Sequence, residues 1–261
     1  MLHERRKDIV EKIRQFQTLK IGDLAAEFKV SIETIRRDLE FLEKQGQLRR
    51  VYGGAVLNGN YSFEEAEYGQ RELINRPQKR AIGEKAASLI NDGDTLFIDT
   101  GTTTRELARH LGNKRRLTIL TTATLVAHEL ARCTDSSCGI ILLGGEMRRD
   151  ELAVSGAMTC SNLSDFYIAT TVIGLGGISV QTGITDYHLP EVPARRLAIE
   201  RAKTVIGLAD YSKFGVTAVY YVCPAAALNI LVTDWGAGEA AVEEYRGLGI
   251  TVHCAQKEGE T

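Results

Sequence analysis

Four short stretches of this sequence carry side chains able to do chemistry. "DTGTTT", Asp99 to Thr104, follows an apolar run and opens a helical pattern. Gly101 allows close backbone approach. Thr102, Thr103 and Thr104 add hydroxyls and N–H groups at a helix N-terminus, a combination that attracts phosphate. "LADYSKFG" ends another apolar run on Asp210 and Lys213, and lysine there suits a phosphate or a sugar oxyanion. "DYHLPEVPARR" supplies Asp186, His188 and Glu191, groups that could move a proton at a substrate C–H if their pKa values were tuned. "SIETIRRDLEFL", residues 31 to 42, sets Arg36 and Arg37 side by side. A guanidinium fork can bond guanine O6 and N7 together. A capped turn, an exposed lysine and a solvated helix face are the plainer readings. The elements that carry these residues decide between them.

Around the arginines, Ile32, Ile35, Leu39 and Leu42 fall at steps of three and four, one stripe of an amphipathic helix. Ser31 stands before the stripe, where its oxygen can cap free N–H groups. Ile9, Val10, Ile13 and Phe16 make an earlier stripe, and Ile21, Leu24, Ala25 and Phe28 a second. Only Lys29 to Ser31 separate the second stripe from the third. A short helix, a tight turn and a helix with early basic residues is a helix-turn-helix arrangement, whose second helix enters the DNA major groove. "QLRRVYGGAVLN" follows, with Gly53 and Gly54 able to turn a hairpin. Arg49, Arg50 and Tyr52 would decorate that wing and lie along the phosphate backbone.

The run from Leu24 to Val56 resembles the winged helix-turn-helix of the DeoR family of bacterial transcriptional regulators. The resemblance rests on "S-x-x-T-I-R-R-D-L-x-x-L" and "R-x-Y-G-G-A" as they stand here. The expected DNA contacts are Ser31, Thr34, Arg36, Arg37, Arg49, Arg50 and Tyr52.

Composition narrows the class. Of 261 residues, 44% are hydrophobic and 25% charged, ordinary for a globular chain with room for a substantial core. No apolar run approaches the roughly 20 residues of a membrane helix, and the N-terminus lacks an apolar signal core. A cytoplasmic protein with no membrane partner is expected. Cys133, Cys138, Cys160, Cys223 and Cys254 are odd in number and form no C-x-x-C pair, so reduced thiols are expected and neither a metal nor a cofactor is called for. Net charge is −2, but residues 1 to 60 hold twelve Lys and Arg against nine Asp and Glu. A head only that basic binds DNA weakly as one copy, so a homodimer or homotetramer is expected on double-stranded operator DNA.

The remaining chain alternates apolar runs with helical stripes, the pattern of α/β layers on a mostly parallel sheet. Three units are expected: residues 1–57 as the DNA head, 58–77 as a polar connector with part of it open to helix, and 78–261 as the α/β domain. Ligands bind beyond the carboxyl ends of strands in such sheets. Those ends are Asp99 to Thr104, Thr121 and Thr122, "LLGGEMRR" with Gly145, "IGLGGIS" with Gly176, and Asp210 to Lys213.

These stretches also resemble the DeoR effector domain. The shared features are "R-x-x-x-N-x-x-x-K" at Arg71, Asn75 and Lys79, "D-x-G-T-T" at Asp99 to Thr103, "L-G-G-E-x-R" at Leu143 to Arg148, and "D-x-S-K-F-G" at Asp210 to Gly215. The resemblance implies an α/β effector domain similar in fold to ribose-5-phosphate isomerase, a phosphorylated sugar effector, and repression of a carbohydrate-catabolic operon. On that basis Gly101, Thr102 and Thr103 would hold phosphate, and Lys213 and Glu191 would approach the sugar. Asp99, Thr121, Thr122, Gly145 and Gly176 complete the expected ligand set. One departure is Thr121-Thr122, where the family usually reads Thr-Asn; losing the amide alters which hydroxyls can be read there. Two other functions stay open: a sugar-phosphate isomerase using Glu191, Asp186 and His188 under a DNA head, and a DNA-binding activator without a ligand.

Overall fold

The computed structural model describes residues 2–16, 18–51, 53–56 and 65–257. The N-terminal unit runs α1 (Leu2–Phe16), β1 (Thr18–Lys20), α2 (Ile21–Glu27), α3 (Ile32–Lys44), β2 (Arg49–Val51) and β3 (Gly54–Val56). Ile9, Ile13, Leu24, Ile35, Leu39 and Leu42 interlock as its core. Lys29, at φ 50°, turns α2 into α3. Ser31 caps α3: its Oγ accepts from Thr34 N at 3.1 Å. The expected stripe fails at one position, because Ile32 is 49% exposed. The three strands form an antiparallel sheet in the order β1-β3-β2. Gly54 is required there, since a Cβ would lie 2.0 Å from the Leu19 carbonyl oxygen of β1.

Two helices follow, α4 (Tyr68–Leu73) and α5 (Arg76–Ser88). The connector expected over 58–77 therefore holds all of α4 and the first residues of α5. The α/β domain continues with β4 (Thr95–Ile98), α6 (Thr102–Arg109), β5 (Thr118–Thr121), α7 (Thr124–Cys133), β6 (Gly139–Leu142), β7 (Glu146–Arg148), β8 (Ala153–Ser155), α8 (Ala157–Ser164) and β9 (Ile168–Gly174). It ends with β10 (Gly177–Ser179), β11 (Gly183–Asp186), α9 (Val192–Arg201), β12 (Ala202–Leu208), β13 (Tyr220–Cys223), β14 (Ile230–Asp234), α10 (Glu239–Arg246) and β15 (Thr251–Ala255).

Seven of these strands make one parallel sheet in the order β15-β14-β12-β9-β4-β5-β6. Side chains alternate across it as the pleat requires. Leu96, Ile98 and Ile119 join the layer with α5, α6 and α7. Phe97 and Leu120 join Leu163 and Ala198 on the opposite face. Gly83 lets α5 sit against α6, since a Cβ there would lie 2.6 Å from the Glu106 carbonyl carbon. From β4 the chain builds outward through β5 and β6; from β9 it builds the other way through β12 and β14. The reversal lies between β4 and β9, the place where open α/β sheets bind ligands. A three-stranded antiparallel sheet, β10-β11-β13, and the hairpin β7-β8 flank the main sheet. Among the described residues no helix is long and apolar enough to cross a membrane.

Candidate functional site: a cavity at the sheet reversal

A cavity of about 680 Å³ opens over the reversal point. Its floor comes from both sides of the switch: Thr100 to Thr103 after β4, and Gly174 to Gly176 after β9. Gly101 caps α6 at φ 143° and ψ 163°, a conformation open only to glycine, and no side chain caps the helix. The first-turn N–H groups of α6 therefore have no side-chain cap and stand at the positive end of the helix dipole.

Cations converge on the same space. Lys213 lines it, and its ammonium has no hydrogen bond or ion pair among the described residues. Lys79 also lines it and donates to the Arg71 carbonyl. Burial lowers Lys79 to about 8, against the pull of Asp210, while the like charge of Lys213 acts in the same sense as burial. Asn75, left-handed at φ 52°, donates to Asp210 Oδ1 at 3.0 Å and so ties α5 to the loop carrying Lys213.

A buried ionic network forms another part of the wall. Arg195 on α9 donates through Nε to Asp99 Oδ2 at 2.6 Å and through Nη1 to Asp186. Burial raises Asp99 despite Arg195; burial also acts to raise Asp186, but Arg195 and the His188 backbone N–H together outweigh it and the net shift is downward. Burial pushes Glu191 up to about 7, against Arg195 and Arg148. Arg71 pairs with Glu65 at 2.9 Å and with Glu151. Glu65, Glu151 and His188 bring ligand atoms within 4.8 Å of one another, the geometry of a cation site, but Arg71 already balances both carboxylates.

Of the expected ligand residues, Gly101, Thr102, Thr103, Gly176, Glu191 and Lys213 line the cavity. Four stand elsewhere. Asp99 is buried beneath the floor, where it accepts from Thr100 N at 2.9 Å and holds Arg195. Thr121 and Thr122 are buried at the end of β5, away from the reversal; Thr121 Oγ1 accepts from Ala123 N at 3.1 Å. Gly145 is a packing residue, because a Cβ would sit 2.2 Å from Thr159 Oγ1. Sequence reasoning missed Arg195 altogether. It also noted Arg71, Lys79 and Arg148 only as shared motif positions; all three face the cavity.

In the N-terminal unit, Arg36 and Arg37 are 62% and 77% exposed at the side chain, each only loosely paired with Glu33 at 3.7 and 3.8 Å. Buried Asp38, on the opposite side of α3, accepts from Arg5 at 2.6 Å and Arg6 at 2.7 Å, which anchors α3 to α1. Ser31 and Thr34 cap each other, their hydroxyls 2.8 Å apart. Arg50 is not a free cation on the wing: its backbone N and its Nε both donate to the Glu43 carboxylate at 2.7 Å. The Arg49 side chain and Tyr52 lie outside the described residues. Ile32, Arg36 and Arg50 also face the cavity.

A helix-turn-helix with a wing, joined to a parallel sheet with a polar cavity at its switch point, defines a DNA-binding regulator with a ligand sensor. Comparison with known proteins agrees. Residues 5–60 match the DeoR-like helix-turn-helix domain and residues 74–235 the DeoR C terminal sensor domain. The HTH-type transcriptional repressor GlcR of Bacillus subtilis is 33% identical over 88% of both chains. The glycerol-3-phosphate regulon repressor of Escherichia coli is 32% identical over 88% of this chain and 90% of its own. Among solved structures, ribose 5 phosphate isomerase A from Neisseria gonorrhoeae aligns over 52% of each chain at 17% identity and a TM-score of 0.37. The chain belongs to the DeoR family of transcriptional regulators.

Proposed function

We propose that this regulator represses a carbohydrate-catabolic operon and is released from its operator by a phosphorylated sugar. The observation that carries this reading is the uncapped N-terminus of α6 meeting Lys213 and Lys79 in one cavity. Phosphate satisfies the free N–H groups and both lysines together. The names of relatives point the same way, a glycerol-3-phosphate regulon repressor and a putative aga operon repressor among them. Two heads are needed, since one is only mildly basic, so the protein acts in the cytoplasm as a homodimer or homotetramer. Because Ile32 and Arg36 face the cavity, a ligand there bears directly on the helix that reads DNA.

The test is a gel-shift titration on the promoter regions of the protein's own gene and its neighbours. It is run at fixed salt with and without a panel of sugar phosphates. Release of a specific complex by one sugar phosphate is expected; a specific complex indifferent to all of them removes the effector assignment of Thr102, Thr103 and Lys213. One observation favours an isomerase instead: Glu191 held near neutrality suits a general base. No turnover of pentose or hexose phosphates is expected, and turnover abolished by Glu191→Gln would reverse that ranking.

A further inference from the structure

The buried groups around the cavity are unequally satisfied. Arg195 hydrogen-bonds Asp99 and Asp186, Arg71 hydrogen-bonds Glu151, and Asp210 accepts from Asn75 and from Ser212 N. Arg148, at the end of β7, and Glu191, at the start of α9, differ. Nε, Nη1 and Nη2 of Arg148 are buried without a hydrogen-bond partner, as is Oε1 of Glu191. Arg148 does lie within ion-pair distance of acids: Asp150 at 3.4 Å, Glu191 at 3.2 Å, and Glu151 closer still. None of these contacts is a hydrogen bond, so they neutralise charge without a directed bond. Leaving such atoms unmet costs free energy, and in a folded protein it marks a place that something else completes.

We propose that Arg148 and Glu191 are the hydroxyl-reading pair of the cavity, and that the effector is a sugar phosphate presenting two adjacent free hydroxyls to them. This rests on the sugar-phosphate reading above. The chemistry selects the class. A guanidinium only donates and a carboxylate oxygen only accepts. A hydroxyl does both, so neighbouring hydroxyls can accept from Arg148 and donate to Glu191. A second phosphate or a carboxylate would satisfy Arg148 but face the negative charge of Glu151 beside it. The phosphate of the effector has its own partners in Lys213, Lys79 and the α6 N-terminus. The pair therefore discriminates among sugars and does not add to anion affinity. The arrangement also explains why both side chains come from elements off the main sheet floor: β7 and α9 close the wall over a ligand anchored at the reversal.

The experiment is calorimetric titration of the full chain with a panel of hexose and pentose phosphates, with their deoxy analogues, and with inorganic phosphate. It uses wild type, Arg148→Met, Glu191→Gln and Lys213→Met. Both Arg148→Met and Glu191→Gln are expected to weaken the preferred sugar phosphate by about 10- to 100-fold, the scale of one hydrogen bond to a charged group. Inorganic phosphate binding stays unchanged in both and falls in Lys213→Met. Removing the hydroxyl that the pair reads costs wild type the same factor and costs the two variants little. If Arg148→Met does not fold, the near-isosteric Glu191→Gln carries the test alone. Wild-type affinity for the sugar phosphate in a folded Glu191→Gln overturns this inference and leaves the sugar-phosphate reading standing. A wild-type chain that binds inorganic phosphate but no sugar phosphate overturns both.

Discussion

Arg36 and Arg37 are adjacent in sequence, yet a helix sends adjacent side chains about 100° apart, so one can reach a base edge while the other grips phosphate. Arg36 shares its side of α3 with Ile32, facing the cavity wall in this arrangement, and Arg37 is the more exposed. Replacing a base-reading arginine by alanine costs about 1–3 kcal/mol on operator DNA and little on random duplex; replacing a phosphate-gripping one weakens both alike. Arg36→Ala and Arg37→Ala are expected to divide in this way when titrated on both duplexes. Glu191 offers a second test. Its carboxyl binds a proton more tightly folded, at about 7, than at the usual value of 4.5. Stability therefore falls as pH rises from about 4.5 through about 7. Wild type is expected to lose more thermal stability than Glu191→Gln between about pH 5 and pH 8; parallel curves would contradict the assignment.

Within the elements, α3 is held by Asp38, whose two guanidinium partners lie on α1, while Arg36 and Arg37 stay exposed. Arg6 also lies over the Phe41 ring, 3.9 Å from its centroid. Asp38→Ala removes the acceptor and leaves two half-buried arginines unpaired, an expected loss of about 1–3 kcal/mol read as a lower melting midpoint. The elements most legible in the sequence are those whose periodicity is local: the stripes of α2 and α3, the Ser31 cap, and the apolar runs of β4, β5, β6, β9, β12, β14 and β15. Less legible is what depends on distant chain. The strands β10, β11 and β13 are three or four residues long and lack a clear alternation. Arg195 looks like one more helical arginine until α9 places it against Asp99, 96 residues away in sequence. The strand-end rule nominated Thr121 and Thr122 alongside Gly101 because sequence gives strand ends but not strand order. Only the order β9-β4-β5 shows which end lies at the reversal.

At the scale of the whole molecule, regulation requires the sugar and the operator to favour different arrangements of the chain. The effector can shift DNA affinity only by its own differential affinity, typically about 5- to 150-fold. Linkage makes this reciprocal: saturating operator DNA must weaken the sugar phosphate by the same factor that the sugar phosphate weakens DNA. Two titrations, each with the other ligand saturating, are expected to give one number.

The most direct test of the central claim is the affinity of the full-length protein for a fluorescent operator duplex at one fixed salt concentration, with and without the sugar phosphate that calorimetry selects. The account predicts specific binding that weakens at least about fivefold when the sugar phosphate is present, and no weakening in Lys213→Met at the same ligand concentration. Operator affinity that ignores every sugar phosphate, or a Lys213→Met variant that responds as wild type does, would contradict it.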